Sequence, residues 1–478
     1  FRVTLPEIFT VSSEDFESWH QGFIKAIRIL PKDTIFHKQD WFLKTAYSGD
    51  ALASTSFLTQ SSEKYFFGRP FQEHDSFIML TKMPSGRKPS SSVFSSLLRP
   101  TLVPEQTISP VAIQEFEDIA SQFQKILADA GVRLQRLRDA DILSQQRKAG
   151  IIERYLYLSD DSQKMLIRDL EFRNGLKVGE NICQLYTIAG CDDLPPLCGS
   201  RINYDKYSTD KTKFSIGFAS HLGLLLRCNH IYNQYIFIGD VQATIKKFES
   251  KRLRLQSLAA YSRENAISRD AVNDFLNEAI GMQRLPVKAH FNVLAWSENR
   301  DELKDVKNQV ISAFAQMDAT AKQETAGAAQ IFWAGIPGNA ADFPLNDTFD
   351  TFAEQACCFL NLESNYRSDP ASEGIRFCDR LSSRPVYVDL YDRPRKLGWS
   401  SNLGTLVCGT SGGGKSMTVN HILRSLFDQG AHCVVVDIGG SYRGLCELAG
   451  GYYFQYEEMS PIRFNPFYLP EGQTLDTE

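Results

Sequence analysis

The sequence predicts an α/β protein in two parts. An N-terminal α+β domain is expected over residues 1–380, and the beginning of a phosphate-loop domain over 381–478. Three observations carry that reading. Strand-length apolar segments alternate with helix-length amphipathic ones along most of the chain. Residues 409–416 read Gly-Thr-Ser-Gly-Gly-Gly-Lys-Ser, between an apolar segment and an amphipathic one. A length of 478 residues accommodates about three domains at roughly 150 residues each.

The elements follow in chain order. Val3–Leu5 and Ile8–Val11 read as short strands. Ser12-Ser13-Glu14-Asp15 is a helix start, and Phe16, Trp19, Phe23 and Ile27 follow at helical spacing. Thr34–Phe42 returns as an extended piece with His37 and Trp41. Residues 82–95 are rich in Ser, Pro, Gly and base and read as a loop, with Arg87 and Lys88 available to an anion. Helices are expected over 111–138 and 161–175. Strands are expected at Ile182–Thr187, Phe214–Phe218, Leu222–Leu226 and Tyr235–Ile238. One or two long helices fill 242–284. A strand over 287–297, a helix over 299–317 and a strand at Ile331–Ala334 suggest a ferredoxin-like βαβ module. Residues 335–400 read as a junction, with a turn at 335–339, a helix at Phe349–Leu362 and a strand at Pro385–Leu390.

Composition narrows the class. Lys plus Arg is 52 and Asp plus Glu is 57, a net charge of −5 that argues against a strongly basic nucleic-acid binder. No apolar run reaches the roughly 20 residues of a membrane-spanning helix. The chain starts with Phe1 and shows no signal-peptide pattern, so it is expected to begin inside a longer protein. The 10 cysteines form no Cys-x-x-Cys pair and read as reduced thiols, with Cys357 and Cys358 as core filler.

The glycine-rich loop carries the chemistry. Gly409, Gly414, Lys415 and Ser416 satisfy Gly-x-x-x-x-Gly-Lys-Ser. Thr405–Cys408 reads as a buried strand before it. Met417, Val419, Ile422, Leu423, Leu426 and Phe427 form a helix after it, stopped at Gly430. Ala431–Val436 then reads as a second strand ending at Asp437. A triphosphate needs many donors at short range. Glycines let consecutive N–H groups point inward, and the helix N-terminus adds partial positive charge. The nucleotide-binding residues are therefore Gly409, Thr410, Ser411, Gly412, Gly413, Gly414, Lys415, Ser416 and Met417, with Asp437 beside them. Lys415 reaches the β- and γ-phosphates, and the Ser416 hydroxyl ligates Mg²⁺. Asp437 is a second metal candidate or a turn cap. The cofactors expected are ATP and Mg²⁺. Tyr452–Tyr456 reads as a strand and 461–467 as a turn, and no later strand supplies the metal-binding Asp. The domain is therefore expected to be truncated, and this fragment to turn over little ATP.

These residues resemble the type IV secretion ATPases of conjugation, the CagE/TrbE/VirB group of VirB-four and TraC-like type, and within it the TraG ATPases of conjugative transposons. The stretches that carry the likeness are 5–10, 37–42, 228–238, 289–293, 333–341, 430–432, 436–437, 441–446 and 464–467. The resemblance implies an N-terminal domain that docks onto channel proteins of the secretion machine at the inner membrane. It also implies a RecA-like ATPase domain that works as a hexamer, with Lys415 and Ser416 as the catalytic residues present here. Peripheral membrane contact and a cytoplasmic location follow from it, while a nucleic-acid contact is left open. The alternative is a docking scaffold that nucleotide merely stabilises. His230 and His290 read as core histidines rather than ligands. The bases of 246–254, diluted by Glu249 and Glu264, read as a solvated face or a contact for anionic lipid or DNA.

Overall fold

The computed structural model describes residues 1–48, 57–83, 109–145, 149–159, 169–369, 374–459 and isolated positions from 465 to 472. They divide into two units. The first comprises 1–53, 61–367 and 378–384, and the second 54–60, 368–377 and 385–478.

In the first unit the strands are β1 (Arg2–Thr4), β2 (Thr34–Ala46), β3 (Pro70–Lys82), β4 (Arg133–Gln135), β5 (Leu170–Glu171), β6 (Leu176–Val178), β7 (Asn181–Ile188), β8 (Arg201–Tyr204), β9 (Phe214–Gly217), β10 (Asn229–Ile238), β11 (Pro286–Ser297), β12 (Lys322–Glu324) and β13 (Phe349–Phe352). Among the described residues one sheet runs β4-β1-β3-β2-β10-β11-β7-β6-β5, with β12 on β7 and β13 on β11. Its ladders are antiparallel, and β8 and β9 pair separately. The β2–β3 register runs from Thr34 opposite Lys82 to Ala46 opposite Pro70.

Both faces of the central strands are covered, so β10 is buried from His230 to Ile238 and β2 from Thr34 to Phe42. Period-two alternation sends Phe36, Phe42, Tyr232, Ile236 and Phe291 to one face. There they meet Phe16, Phe23 and Ile27 of helix Ser13–Arg28 and Phe123 and Leu127 of helix Pro110–Asp129. The first helix starts at a capping box: Ser12 Oγ accepts from Asp15 N at 3.2 Å, and Ser12 N donates to Asp15 Oδ2 at 3.1 Å. The other face carries Ile35, Trp41, Ile231, Tyr235 and Leu294, packed on Tyr155, Ile331, Phe332 and Phe343. Large side chains buried this fully contribute about 1.5–3 kcal/mol each.

The polar residues of these strands are interior too. Lys38 and Asp40 form a buried ion pair. His74 Nε2 donates to Asp40 Oδ1 at 2.9 Å, Asn361 Nδ2 to the same oxygen at 3.2 Å, and Gln234 Nε2 to Asp40 Oδ2 at 2.7 Å. On the opposite face Gln39 Nε2 donates to Asn233 Oδ1 at 2.7 Å, and Asn233 Nδ2 to Asn292 Oδ1 at 2.9 Å. His230 and His290 are fully buried. Cys357 and Cys358 are buried, and all ten cysteines are free thiols.

The structure corrects several expectations. Ile8–Val11 is a turn, not a strand. The helix expected over 111–138 stops at Asp129, because Gly131 turns the chain at φ +91° into β4. Leu222–Leu226 is the end of a 3₁₀ helix at Phe218–Leu222 and the turn after it rather than a strand. Phe349–Leu362 splits into β13 and helix Ala353–Cys358. Ile331–Ala334 belongs to helix Ala328–Ala334, since a short apolar run satisfies either period. The strand that returns after helix Glu302–Ala315 is β12 instead. It pairs antiparallel with β7, as β11 does, so β11 and β12 run parallel with β7 between them. The expected loop at 82–95 and helix at 161–175 lie mostly outside the described residues, though Leu170–Glu171 is a strand. No helix among the described residues is long and apolar enough to cross a membrane.

The buried ionisable groups set a pH dependence. Burial pulls His37 down to about 3 and His230 and His290 each to about 4. A group lowered in the folded state stabilises fully above its unfolded value and loses that contribution as pH falls through its folded value. Burial pushes the Glu363 carboxyl the other way, to about 7. Its contribution is complete below its unfolded value and is lost as pH rises through 7. Between roughly pH 6.5 and 4.5 the three imidazoles take up protons on unfolding and Glu363 releases one, a net uptake of about two. From these four groups alone, stability is expected to fall as pH is lowered through that window, by up to about 3 kcal/mol per pH unit. Urea midpoints at pH 7, 6 and 5 measure it. A flat profile would show that these imidazoles are not held neutral.

Candidate nucleotide-binding site

In the second unit the loop at 409–414 leads into helix Lys415–Asp428. The loop's shape is set by its glycines. Gly412 and Gly414 sit at φ +78° and +87°, where a side chain is strained. A Cβ on Gly413 would stand 3.1 Å from Thr410 O, and one on Gly409 would stand 3.2 Å from Lys415 Cγ. Gly413 N donates to Thr410 O at 3.1 Å, closing the turn. Gly414 is the N-cap and offers no side-chain acceptor. The first N–H groups of the helix therefore have no partner within it, which is the arrangement that receives an anion.

Lys415 folds back over this loop. Its ammonium donates to Gly409 O at 2.8 Å and to Thr410 O at 2.9 Å. The cation thus lies across the loop whose N–H groups and helix terminus supply the remaining positive potential. Thr410, Ser411, Gly412, Gly413, Ser416 and Met417 are exposed, with Met417 at 80 %. A triphosphate fits this donor set: backbone N–H groups for its oxygens, Lys415 for its charge, and the Ser416 hydroxyl for a hydrated Mg²⁺. Bound there, the metal would neutralise phosphate charge.

The helix is tied to the segment 374–377. His421 Nε2 donates to Arg376 O, and Gln429 Nε2 donates to Gly374 O at 2.9 Å. Phe377 meets His421 edge-on at 5.6 Å. Asn420, which sequence reading passed over, bridges two carbonyls: Ser416 O at 2.9 Å and Ser441 O at 3.2 Å. That bridge fixes the loop after Asp437 beside the first turn of the helix. Its only signal in sequence was a polar residue one turn after Ser416. Asp437 spends both oxygens on the backbone, accepting from Gly439 N and Tyr442 N at 3.0 Å each. Among the described residues no group of three or more His, Cys, Asp or Glu is placed to hold a metal.

The segments flanking the loop differ from expectation. Thr405–Cys408, Ala431–Val436 and Tyr452–Tyr456 were expected as strands, but none forms a ladder among the described residues. Leu406 is 88 % exposed, Val434 94 % and Val436 92 %. A parallel strand is held only by hydrogen-bonded neighbours and covered faces, and none is present among the described residues.

A glycine loop with these dihedrals, a lysine lying across it and a serine opening a helix define a P-loop domain. Residues 374–478 match the family model of the TraG P-loop domain. The chain is also similar to Protein TraC of Escherichia coli (strain K12), with 40 % identity over 107 residues. That match covers 22 % of this chain and 12 % of TraC.

Proposed function

We propose that this chain is part of an ATPase that energises conjugative type IV secretion. ATP and Mg²⁺ bind at Gly409–Ser416, in a RecA-like domain that works as a hexamer in the full-length protein. The N-terminal domain docks on channel proteins at the cytoplasmic face of the inner membrane, with peripheral contact to the bilayer. The observation that carries the reading is the loop itself: left-handed Gly412 and Gly414 open an uncapped helix N-terminus under the Lys415 ammonium. The TraG P-loop match over residues 374–478 and the similarity to Protein TraC support the rest.

Transfer frequency tests it. Lys415→Ala in the full-length protein is expected to abolish DNA transfer in a mating assay while leaving the protein's abundance unchanged. Wild-type transfer frequency would refute an energising role. Transfer without any measurable hydrolysis by the full-length protein would favour the docking scaffold.

A further inference from the structure

Helices Val241–Leu258 and Arg263–Gly281 leave the end of β10 and return to the start of β11. They pack on each other through Phe248, Leu255, Val272 and Leu276. Their root is fixed to the sheet. Phe275 stacks on Phe248 at 4.3 Å and on Phe352 of β13 at 4.5 Å, and Lys247 pairs with Asp350 at 3.0 Å. An 18-residue helix is about 27 Å long, so its last turns stand well beyond that root.

The outer part has an unusual composition. Residues 251–263 read Lys-Arg-Leu-Arg-Leu-Gln-Ser-Leu-Ala-Ala-Tyr-Ser-Arg, with four cations and no carboxylate, in a chain whose net charge is −5. Among the described residues Lys251, Arg252, Arg254 and Arg263 form no ion pair. Large apolar groups stand in water beside them: Leu253 is 56 % exposed, Leu258 42 %, Tyr261 87 %, and Ile267 on the returning helix 61 %. Tyr261 lies in the connection between the helices, its N–H bonded to Leu258 O at 3.0 Å.

We infer that this hairpin tip is a docking surface for an anionic lipid bilayer. The inference assigns one surface to the peripheral membrane contact proposed above and rests on that reading. Aliphatic side chains enter the boundary between headgroups and acyl chains, and tyrosine settles at headgroup depth with its hydroxyl wet. Lysine and arginine keep their charge at the anionic headgroups while their stems lie along the apolar layer. A nucleic acid would use the cations and leave Leu253, Leu258 and Ile267 without a partner. An apolar protein groove would use those three and leave Arg252, Arg254 and Arg263 unpaired, Lys251 lying over the Phe248 ring at 5.9 Å. A bilayer surface satisfies both sets. No described helix is long and apolar enough to span.

Flotation with vesicles tests the inference on the whole chain. Wild type is expected to float with vesicles of phosphatidylglycerol and phosphatidylethanolamine, and to stay behind with phosphatidylcholine alone. Lys251→Glu/Arg254→Glu is expected to weaken binding roughly 30-fold or more, since each cation counts about fivefold. Leu258→Asp/Tyr261→Asp is expected to lose binding even at low salt. Both variants replace exposed residues and should leave MgATP binding unchanged. Failure of wild type to float, or variants that float as well as wild type, would overturn the inference. So would binding of wild type to duplex DNA without binding to vesicles. Lys415→Ala carried in parallel separates the two readings: it should float normally whatever it does to nucleotide.

Discussion

Lys415→Ala is expected to weaken MgATP binding roughly ten- to a hundredfold. The ammonium is the one full positive charge on the loop itself, and hydrogen bonds to a charged group contribute about 1.5–3 kcal/mol. Each 1.4 kcal/mol is about a factor of ten in affinity. The variant should not disturb the fold of the loop. Its turn is held by Gly413 N on Thr410 O and by the dihedrals of Gly412 and Gly414, not by the lysine side chain. Among the described residues Lys415 reaches only Gly409 O and Thr410 O, both exposed and able to bond water instead. Titration of a fluorescent ATP analogue with and without Mg²⁺ reads the change. Lys415→Arg sharpens the test. It keeps the charge but replaces a compact ammonium with a wider planar group whose fixed fork does not match the lysine's point contact, so it should recover little. Equal affinity in wild type and Lys415→Ala would mean that nucleotide is not held at this loop.

The loop was legible in sequence because its constraints are local. Gly412 and Gly414 are needed for left-handed backbone, Gly409 and Gly413 for close approach, and all lie within a few residues of the lysine they serve. Helix over 242–284 was legible for the same reason, but the break at 259–262 that makes it two helices was left open. Ile331–Ala334 failed because four residues fit a strand or a helix equally well, and what decides is Phe332 and Ile331 packing on Tyr155 and Phe343 from distant segments. Thr405–Cys408 and Ala431–Val436 show the same limit from the other side. Their apolar pattern states what they can pair with, but a ladder exists only where a neighbour is present.

The interior of the first unit hid its chemistry most completely. Lys38 and Asp40 alternate along β2 as solvent-facing strand residues do, and nothing local marks them as buried. Their surroundings come from far away: His74 lies 34 residues from Asp40, Gln234 194 and Asn361 321. Only the assembled sheet brings those side chains together.

That network carries the second large expectation. Burial alone would raise the Asp40 carboxyl, but Lys38, His74 and Gln234 outweigh it and hold it below the usual carboxylate range. Burial works against the Lys38 ammonium and lowers it, while Asp40 beside it opposes that loss, so the two fully buried groups hold their charges as a pair. Lys38→Met removes the counter-charge and leaves the anion. Breaking a buried pair in this way costs about 3–5 kcal/mol, a large part of the 5–15 kcal/mol that holds a typical domain folded. Lys38→Met is expected to lower the urea midpoint accordingly. Adding Asp40→Asn removes the stranded charge and keeps an acceptor for His74 and Asn361. The double variant should then be less destabilised than the sum of the singles, by about 1–3 kcal/mol. Salt distinguishes this pair from surface ion pairs such as Arg395–Asp392, half exposed at 3.0 Å. Raising ionic strength screens the exposed pair and should leave the Lys38–Asp40 coupling unchanged. Additive single effects, or a coupling that fades in 1 M salt, would mean that water reaches these two side chains in solution. Asp40 would then be an ordinary solvated carboxylate rather than the hub that binds β2, β3 and β10 to the segment of Asn361.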